Sequence, residues 1–380
     1  MADDAGMTLP ILDISPLASP DLAARRAAAA ALGAACRGPG FFLAVNHGVT
    51  TTEALFDAAR AFFALPEAAK QALSIRRSPH NRGYVALAEE QLDPSKPADR
   101  KEAFNIGLDL PPDHPEVLAG APFRGVNLWP DLPGFRAAVL AHFDACHRLG
   151  VLLHRGFALD LGLPEDFFDD KLDRPLATLR LLRYPGDPDA DPSLPGAGEH
   201  TDYGNVTLLA TDGVAGLEVK RRDGGWIEVP RVPGAFVCNI GDCLMRWSNG
   251  VYVSTPHRVR VPERERFSAA FFLDPNPDAV VAALPGTGAP RWPATTGAAY
   301  LRERLDATYA HRRADGAGGR RPGRRREPTA RDPAGAAAAC RGRRRARHDR
   351  DRGGDRARGL RLAGGERGRA DGRRAAARRR

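Results

Sequence analysis

Two side chains of types that can bind a metal occupy alternate positions within residues 198–209. His200 and Asp202 precede an apolar, β-branched run that begins at Val206, which predicts a strand entered through a loop. Residues two apart in an extended backbone point the same way, so the imidazole and the carboxylate should face one spot. His257 offers a third ligand, and two histidines with one carboxylate can hold Fe(II) while leaving coordination positions open. An isolated His-x-Asp pair is more often a surface or capping feature, so the interpretation depends on its neighbours.

An arginine and a serine at alternate positions follow His257. The sequence between His257 and these residues, Arg266 and Ser268, predicts two strands joined by a hairpin turn. If Val261 pairs with Arg266, then His257 lies opposite Ala270, about 13 Å along the strands from the row of Arg266. A guanidinium binds a carboxylate through two parallel hydrogen bonds, so this pair could hold the far end of a five-carbon diacid that chelates the metal. The alternative for a lone arginine is a surface residue on a β edge.

These residues resemble the signature of the iron- and 2-oxoglutarate-dependent dioxygenases, in the isopenicillin-N-synthase-like branch. The resemblance extends over most of residues 8–310. It is carried by His200-Thr201-Asp202, His257, Arg266-Phe267-Ser268 and the stretches at residues 10–14, 40–49, 239–242 and 271–275. No single piece is specific, but the combination is.

The resemblance implies a role for six side chains. The implied iron ligands are His200, Asp202 and His257. The implied contacts of the co-substrate 2-oxoglutarate are Arg266 and Ser268, at its distal carboxylate, and Tyr184. Many relatives carry an asparagine two residues before that tyrosine, where this chain has Leu182.

The implied activity is that of a non-haem Fe(II) dioxygenase using 2-oxoglutarate and O₂. It would couple oxidative decarboxylation of 2-oxoglutarate to hydroxylation, desaturation or ring closure of a small organic molecule. Family halogenases lack the carboxylate ligand, so Asp202 argues against halogenation. Two alternatives stay open: a family oxidase that uses O₂ alone or ascorbate, and a non-catalytic binding module on the same fold.

The formal net charge of +9 is unevenly distributed along the 380 residues. Residues 311–380 hold 25 arginines and 8 acidic residues, a net of +17, against −8 for the rest. This segment lacks aromatic residues and nearly all large aliphatics, so we expect it to be disordered. A polycationic arm on nucleic acid is one interpretation, but it depends only on this tail, and we favour a shifted reading frame in a GC-rich gene.

Cysteine usage and apolar patterning indicate a cytoplasmic protein. Five cysteines without scaffold spacing are typical of a reducing compartment. Cys238 and Cys243 could form a metal pair, but their apolar neighbours favour buried structural thiols. The sequence begins without signal-peptide features and has no run long enough for a membrane span. We expect a monomer that binds a small-molecule substrate.

The remaining pattern predicts a mainly β fold with flanking helices. Residues 1–310 are expected to form one dioxygenase domain, with a helical part over about 1–176, a core over about 177–285 and a closing helix over about 297–310. Short, turn-separated strands in the core indicate a sandwich or barrel, and the resemblance specifies a double-stranded β-helix, or jelly roll. A long helix over residues 133–160 should bury an apolar stripe and expose His142, His147 and His154.

Substrate contacts are the least determined part of the sequence. By the resemblance, the mouth of the pocket is built from the N-terminal helical part and the loop before the first core strands. The candidates there are Arg82, Tyr84, Arg100 and Phe104, each of which could equally pack or face solvent. His47 follows a buried strand and is expected to be structural.

Overall fold

The computed structural model describes residues 8–93, 95–191 and 193–308. Within these ranges helices alternate with the strands of three β-sheets, of which the smallest contains only two strands. The strands are β1 (Ile11–Asp13), β2 (Phe41–Val45), β3 (Gly83–Val85), β4 (Glu102–Gly107), β5 (Thr178–Tyr184), β6 (Pro195–His200), β7 (Val206–Thr211), β8 (Leu217–Lys220), β9 (Trp226–Glu228), β10 (Phe236–Ile240), β11 (His257–Arg260), β12 (Arg266–Leu273), β13 (Val280–Val281) and β14 (Thr295–Thr296). The helices are α1 (Leu22–Arg37), α2 (Thr52–Phe63), α3 (Glu67–Gln71), α4 (Pro115–Leu118), α5 (Phe135–Asp160), α6 (Asp242–Trp247) and α7 (Gly297–Thr308). Every prediction about the basic tail lies outside the described residues.

The core consists of an eight-stranded sheet and a four-stranded sheet. The larger sheet runs in the order β1-β2-β10-β7-β12-β5-β4-β3, and the smaller in the order β6-β11-β8-β9. Apolar side chains from both sheets form one buried cluster, so the sheets pack face to face. This arrangement confirms the predicted mainly β fold with a jelly-roll core and flanking helices.

Helix α5 buries one side against the outer face of the large sheet. Phe143 meets Phe271 of β12 edge to face, with ring centroids 5.1 Å apart. His142 and His154 are fully buried on the same helix, so their predicted exposure is wrong. The Nδ1 of His142 lies 2.9 Å from the hydroxyl of Thr51, and burial lowers the pKa of both histidines to about 4. They are neutral core residues that satisfy their hydrogen bonds inside the protein.

The predicted hairpin between His257 and Arg266 is wrong. β11 belongs to the small sheet, where it pairs with β6 and β8, whereas β12 pairs with β5 and β7 in the large sheet. The connecting segment carries Pro262, which has no N–H to continue a ladder, and it crosses from one sheet to the other. His257 therefore does not lie opposite Ala270, although it lines the same cavity as Arg266.

Strand β4 is among the elements that the sequence did not reveal. All six of its residues are buried, yet it contains a glutamate and an asparagine that hide the apolar pattern of a strand. The Glu102 carboxylate accepts hydrogen bonds from Lys70 at 2.7 Å, Tyr84 at 2.6 Å and Arg183 at 2.5 Å. This network joins α3 to the edge of the large sheet and neutralises a buried carboxylate.

Among the described residues, none of the helices combines the length and the apolar character that crossing a membrane requires.

Breaking the buried network should cost far more than breaking a surface ion pair. Glu102→Ala leaves the ammonium of Lys70 buried without its main partner, so the free energy of unfolding should fall by about 3–5 kcal/mol. Asp57→Ala is the matched control, because its pair with Arg60 is exposed and should contribute about 0–1 kcal/mol. Urea unfolding followed by circular dichroism measures both. Equal losses in the two variants would contradict this account of the β4 edge.

Candidate active site

Two histidines face each other across neighbouring strands of the small sheet. β6 and β11 are antiparallel, and their register places His200 directly opposite His257. The two imidazole rings lie 4.3 Å apart, centroid to centroid. The Nδ1 of His200 lies 2.7 Å from the carbonyl oxygen of Gly198, and that of His257 lies 3.2 Å from the carbonyl oxygen of Thr255. Because a carbonyl only accepts, Nδ1 of each ring carries the proton and each Nε2 keeps a free lone pair.

The carboxylate of Asp202 completes the cluster just beyond the end of β6. Its Oδ1 lies 3.8 Å from Nε2 of His200 and 3.7 Å from Nε2 of His257. Its Oδ2 accepts hydrogen bonds from the Thr207 hydroxyl at 2.5 Å and the Asn239 amide at 2.7 Å. Thr207 on β7 and Asn239 on β10 are direct cross-strand partners, so the large sheet fixes the orientation of a carboxylate that the small sheet delivers.

The electrostatics of this cluster favour the protonation states that bind metal. Burial, and then the neighbouring His257, lower the pKa of His200. Burial opposes ionisation of Asp202, but the two histidines and the bonds from Thr207 and Asn239 outweigh it and lower the pKa of the carboxyl. These shifts favour a neutral imidazole at His200 and an ionised carboxylate at Asp202, which are the forms of these side chains that metal binding requires.

The donor set fits a single divalent ion. One possible ligand atom from each of His200, Asp202 and His257 lies within 4.8 Å of the other two. In the described part of the chain, no other three His, Cys, Asp or Glu side chains come together in this way. Two imidazole nitrogens and one carboxylate oxygen on one face suit iron(II) and leave positions for other ligands. Each of the three side chains makes a hydrogen bond to the protein through its other polar atom, as is typical of the residues that bind metals.

Arg266 lies at the start of β12 and reaches into the same cavity. It is 1% exposed, its Nε donates to the carbonyl of Val214 at 3.2 Å, and its Nη1 donates to the hydroxyl of Ser268 at 3.1 Å. Its guanidinium lies over the ring of Tyr184, 4.9 Å from the centroid. Within the described residues it forms no ion pair, so a buried positive charge lacks a counter-ion here. Leu182 adds an apolar wall beside it.

The cavity between the sheets has a volume of about 170 Å³, and the three cluster residues and Arg266 line it. Of the four substrate candidates, Arg82 lines it. Tyr84 and Phe104 do not, because Tyr84 bonds to the Glu102 network and Phe104 packs on the other face of the sheet. Arg100 is half-exposed and pairs with Asp187. None of these three side chains lies on the wall of the cavity.

Several residues near the site had no predicted role. Thr207 and Asn239 both lie within stretches singled out in the sequence, yet nothing there showed that they support Asp202. Asn105 on β4 and Arg180 on β5 line the cavity from the large sheet. The signal that could have found them is a polar side chain inside a strand whose other residues are buried. His47, expected to be structural, contacts the carbonyl of Gly234 at 2.7 Å. Cys238 and Cys243 are buried free thiols with raised pKa values.

Two family models match the chain. The non-haem dioxygenase in morphine synthesis N-terminal family covers residues 9–132, and the 2OG-Fe(II) oxygenase superfamily covers residues 176–275. The second range contains the three cluster residues and Arg266.

Named relatives and solved structures agree with these matches. A "2-oxoglutarate-Fe(II) type oxidoreductase" from Emericella nidulans is 38% identical over 286 residues, which is 73% of this chain and 82% of that protein. A "2-oxoglutarate-dependent dioxygenase" from Talaromyces stipitatus is 36% identical and covers 74% of this chain and 88% of that protein. The crystal structure of a full-length Neurospora crassa protein in complex with alpha-KG and thymine superposes with a TM-score of 0.72 and 32% identity, covering 80% of this chain and 98% of that one.

Removing one support of Asp202 should weaken metal binding without removing a ligand. Thr207→Val keeps the shape of the side chain but deletes the hydroxyl that donates to Oδ2, so affinity for Mn(II) should fall by about 10- to 100-fold. Thr52→Val, on α2, is the matched control and should bind as the unaltered protein does. Calorimetric titration with Mn(II) measures the difference. Unchanged affinity in Thr207→Val would show that the hydroxyl does not orient the carboxylate.

Proposed function

Because the chain belongs to the 2-oxoglutarate- and Fe(II)-dependent oxygenase superfamily, we propose that its own residues divide into an iron site, a co-substrate site and a substrate wall. The protein is a 2-oxoglutarate-dependent Fe(II) dioxygenase, so its cofactors are Fe(II), 2-oxoglutarate and O₂. His200, Asp202 and His257 would hold the iron. The observation that carries this assignment is the convergence of Nε2, Nε2 and Oδ1 while the other polar atom of each side chain is hydrogen-bonded elsewhere.

Arg266, Ser268 and Tyr184 would hold 2-oxoglutarate. The support is electrostatic: a fully buried guanidinium without an ion pair among the described residues is costly unless an anion completes it. The distal carboxylate of 2-oxoglutarate supplies that anion, and a planar guanidinium can bind it through two hydrogen bonds. Ser268 and the ring of Tyr184 keep the guanidinium in place from two sides.

When bound, Fe(II) and 2-oxoglutarate supply the chemistry: O₂ oxidatively decarboxylates 2-oxoglutarate to succinate and CO₂, and a C–H bond of the substrate is oxidised. The chain's own part is to position and enclose. Thr207 and Asn239 hold the carboxylate of Asp202 in one orientation, and the backbone carbonyls fix the tautomers of both histidines. Apolar side chains on the cavity wall, such as Leu209 and Phe272, exclude water from the reacting carbon.

The substrate is a small organic molecule. A cavity of about 170 Å³ would admit a molecule of about one ring beside the co-substrate. The related Neurospora crassa protein has been crystallised with thymine, which is a molecule of that size. With a carboxylate ligand present, we expect hydroxylation, desaturation or ring closure rather than halogenation. Arg82 would contact the substrate.

A cytoplasmic location and a monomeric state complete the proposal, with residues 1–310 acting as a single catalytic domain. The location is supported by four cysteines used as buried free thiols. No nucleic-acid partner is proposed, because that alternative depends on residues outside the described ranges.

Succinate formation tests the function directly. Protein loaded with Fe(II) should convert 2-oxoglutarate and O₂ to succinate slowly when alone and faster when a substrate is added. Succinate should disappear when iron is chelated and return when Fe(II) is restored. Turnover of a substrate with O₂ or ascorbate and no succinate would establish the oxidase alternative instead.

Loss of Arg266 should separate co-substrate binding from metal binding. Arg266→Ala leaves the three metal-binding side chains intact, so Mn(II) affinity should stay constant while 2-oxoglutarate binds about 10- to 150-fold more weakly, a loss of about 1.5–3 kcal/mol. Arg266→Lys should recover part of this, because an ammonium lacks the planar fork. Arg260→Ala, a half-exposed arginine of β11, is the control.

Anaerobic calorimetric titration of the metal-loaded protein with 2-oxoglutarate measures these affinities. If Arg266→Ala bound 2-oxoglutarate as tightly as the unaltered protein, the assignment of this arginine would be wrong.

A further inference from the structure

Four cationic side chains line the cavity, and two of them have acidic partners. Lys101 bonds to Asp99, and the Nη2 of Arg180 lies 2.5 Å from a carboxylate oxygen of Glu90. Arg82 and Arg266 are different: within the described part of the chain, neither forms an ion pair with an acidic side chain. The anion for Arg266 is the distal carboxylate of 2-oxoglutarate, as proposed above. Arg82 is left as a second buried cation without an anion.

Arg82 is held rigidly but is not neutralised. It is 4% exposed; its Nη1 donates to the carbonyl of His80 at 2.9 Å and its Nη2 to the carbonyl of Phe123 at 3.3 Å. Its Nε is buried and has no hydrogen-bond partner. Burial, and then the like charge of Arg124, lower the pKa of Arg82 to about 10, so the guanidinium stays charged at neutral pH. The guanidinium of Arg82 therefore has N–H groups that donate to no acceptor in the described structure. An anion that accepted from them would also offset the free-energy cost of burying the charge.

A second unpartnered polar side chain stands beside it. Asn105 on β4 is 1% exposed and lines the cavity, and neither its Oδ1 nor its Nδ2 has a hydrogen-bond partner. Two residues further along the strand, a Cβ on Gly107 would lie 1.8 Å from Cζ of Arg82, so the guanidinium occupies the space of the missing side chain. Residues two apart share a face of a strand and are about 7 Å apart. The guanidinium and the amide are therefore neighbours on the cavity face.

We propose that Arg82 and Asn105 form a carboxylate-binding subsite for the substrate, which makes the substrate a small organic acid. The inference rests on the proposed function and adds the substrate's chemical class to it. Arg82 would bind the carboxylate through its free donors, and the Nδ2 of Asn105 would donate a further hydrogen bond. One guanidinium and a neutral amide balance a single negative charge, which suits a carboxylate better than the dianion of a phosphate monoester.

The sheet also sets how far this subsite lies from the metal-binding cluster. Gly107, Thr178, Phe272 and Thr207 are successive cross-strand partners on β4, β5, β12 and β7. Three strand spacings separate the ends of this row, about 14 Å, and the hydroxyl of Thr207 donates to Asp202. A substrate anchored at Arg82 would lie across Thr178 and Phe272 toward the metal. This span is measured between backbones, and the side chains of Arg82 and Asp202 occupy part of it, so the remaining length suits one ring carrying a short acid side chain.

Matched acids and amides test the subsite in the unaltered protein. The probes are benzoate, phenylacetate and 3-phenylpropanoate, each paired with its primary amide, which has nearly the same shape but no charge. Each is added to the anaerobic protein loaded with Mn(II) and 2-oxoglutarate, and affinity is taken from the shift in melting temperature with ligand concentration. At least one acid should bind about 10- to 150-fold more tightly than its amide. If no acid binds more tightly than its amide, the proposal is overturned.

Substitution then locates the charge that the acids sense. Arg82→Gln should weaken the preferred acid about 10- to 150-fold and leave its amide unchanged. Arg77→Gln, an exposed arginine nearby, is the matched control and should change neither. Asn105→Asp places a negative charge beside the subsite and should weaken the acid in the same direction. It provides the test if Arg82→Gln does not fold, because Asn105 makes no hydrogen bond to the rest of the described structure through its side chain.

A separate measurement distinguishes failure of this subsite from failure of the proposed function. Fe(II)-dependent succinate release without any substrate, and anaerobic 2-oxoglutarate affinity, report on the proposed metal cluster and on the proposed co-substrate site of Arg266, Ser268 and Tyr184. If both persist in Arg82→Gln while acid and amide weaken equally, the carboxylate subsite is refuted and the function stands. If the unaltered protein neither binds 2-oxoglutarate nor releases succinate, both proposals fail together.

Discussion

The pairing of β6 with β11 is the constraint on which the arrangement of His200, Asp202 and His257 depends. That register sets His200 opposite His257 and brings Asp202 to the end of β6. The small sheet thus delivers all three ligand groups, but it does not orient the carboxylate. Orientation comes from the opposite sheet, where Thr207 and Asn239 form a cross-strand pair and both donate to one oxygen of Asp202. The orientation of Asp202 therefore depends on the face-to-face packing of the two sheets, whereas the pairing of the two histidines is set within the small sheet.

Buried charged side chains occur on both sides of the large sheet, some with ionic partners and some without. Glu102 and its three partners form a satisfied network on the far side of β4, where a neutralised carboxylate stabilises the sheet edge. On the cavity side, Arg82 and Arg266 are buried without such partners among the described residues. A fold selected for stability alone would have replaced them with apolar side chains. Under the proposals above, an anionic ligand would offset the cost of burying each of these two guanidinium groups.

Some strands are predictable from the sequence because their pattern of apolar and polar residues matches the pattern of burial in the fold. Strands β2 and β12 are mostly apolar and β8 alternates apolar with charged residues, so their local pattern is that of a strand. Strand β4 escapes prediction because Glu102 and Asn105 are buried polar residues, and only packing from other elements makes that favourable. The failed hairpin has a similar cause, since nothing local shows that the chain changes sheets at Pro262. The sequence indicated which three side chains form the cluster of His200, Asp202 and His257, but not the side chains that support the cluster or line the cavity.

Helix α7 connects enclosure of the cavity to the metal-binding loop. Leu301 and Leu305 of this helix line the cavity. Its Arg304 lies 4.8 Å above the ring of Tyr203, the residue after Asp202, and its Nη2 is 2.9 Å from the carboxylate of Asp242. That same carboxylate accepts a hydrogen bond from the hydroxyl of Thr201 at 3.0 Å, between the first two metal-binding residues. The helix that lines one side of the cavity therefore contacts Tyr203 directly and Thr201 through Asp242, and these two residues flank Asp202. A displacement of α7 would disturb both the wall of the cavity and the loop that carries Asp202.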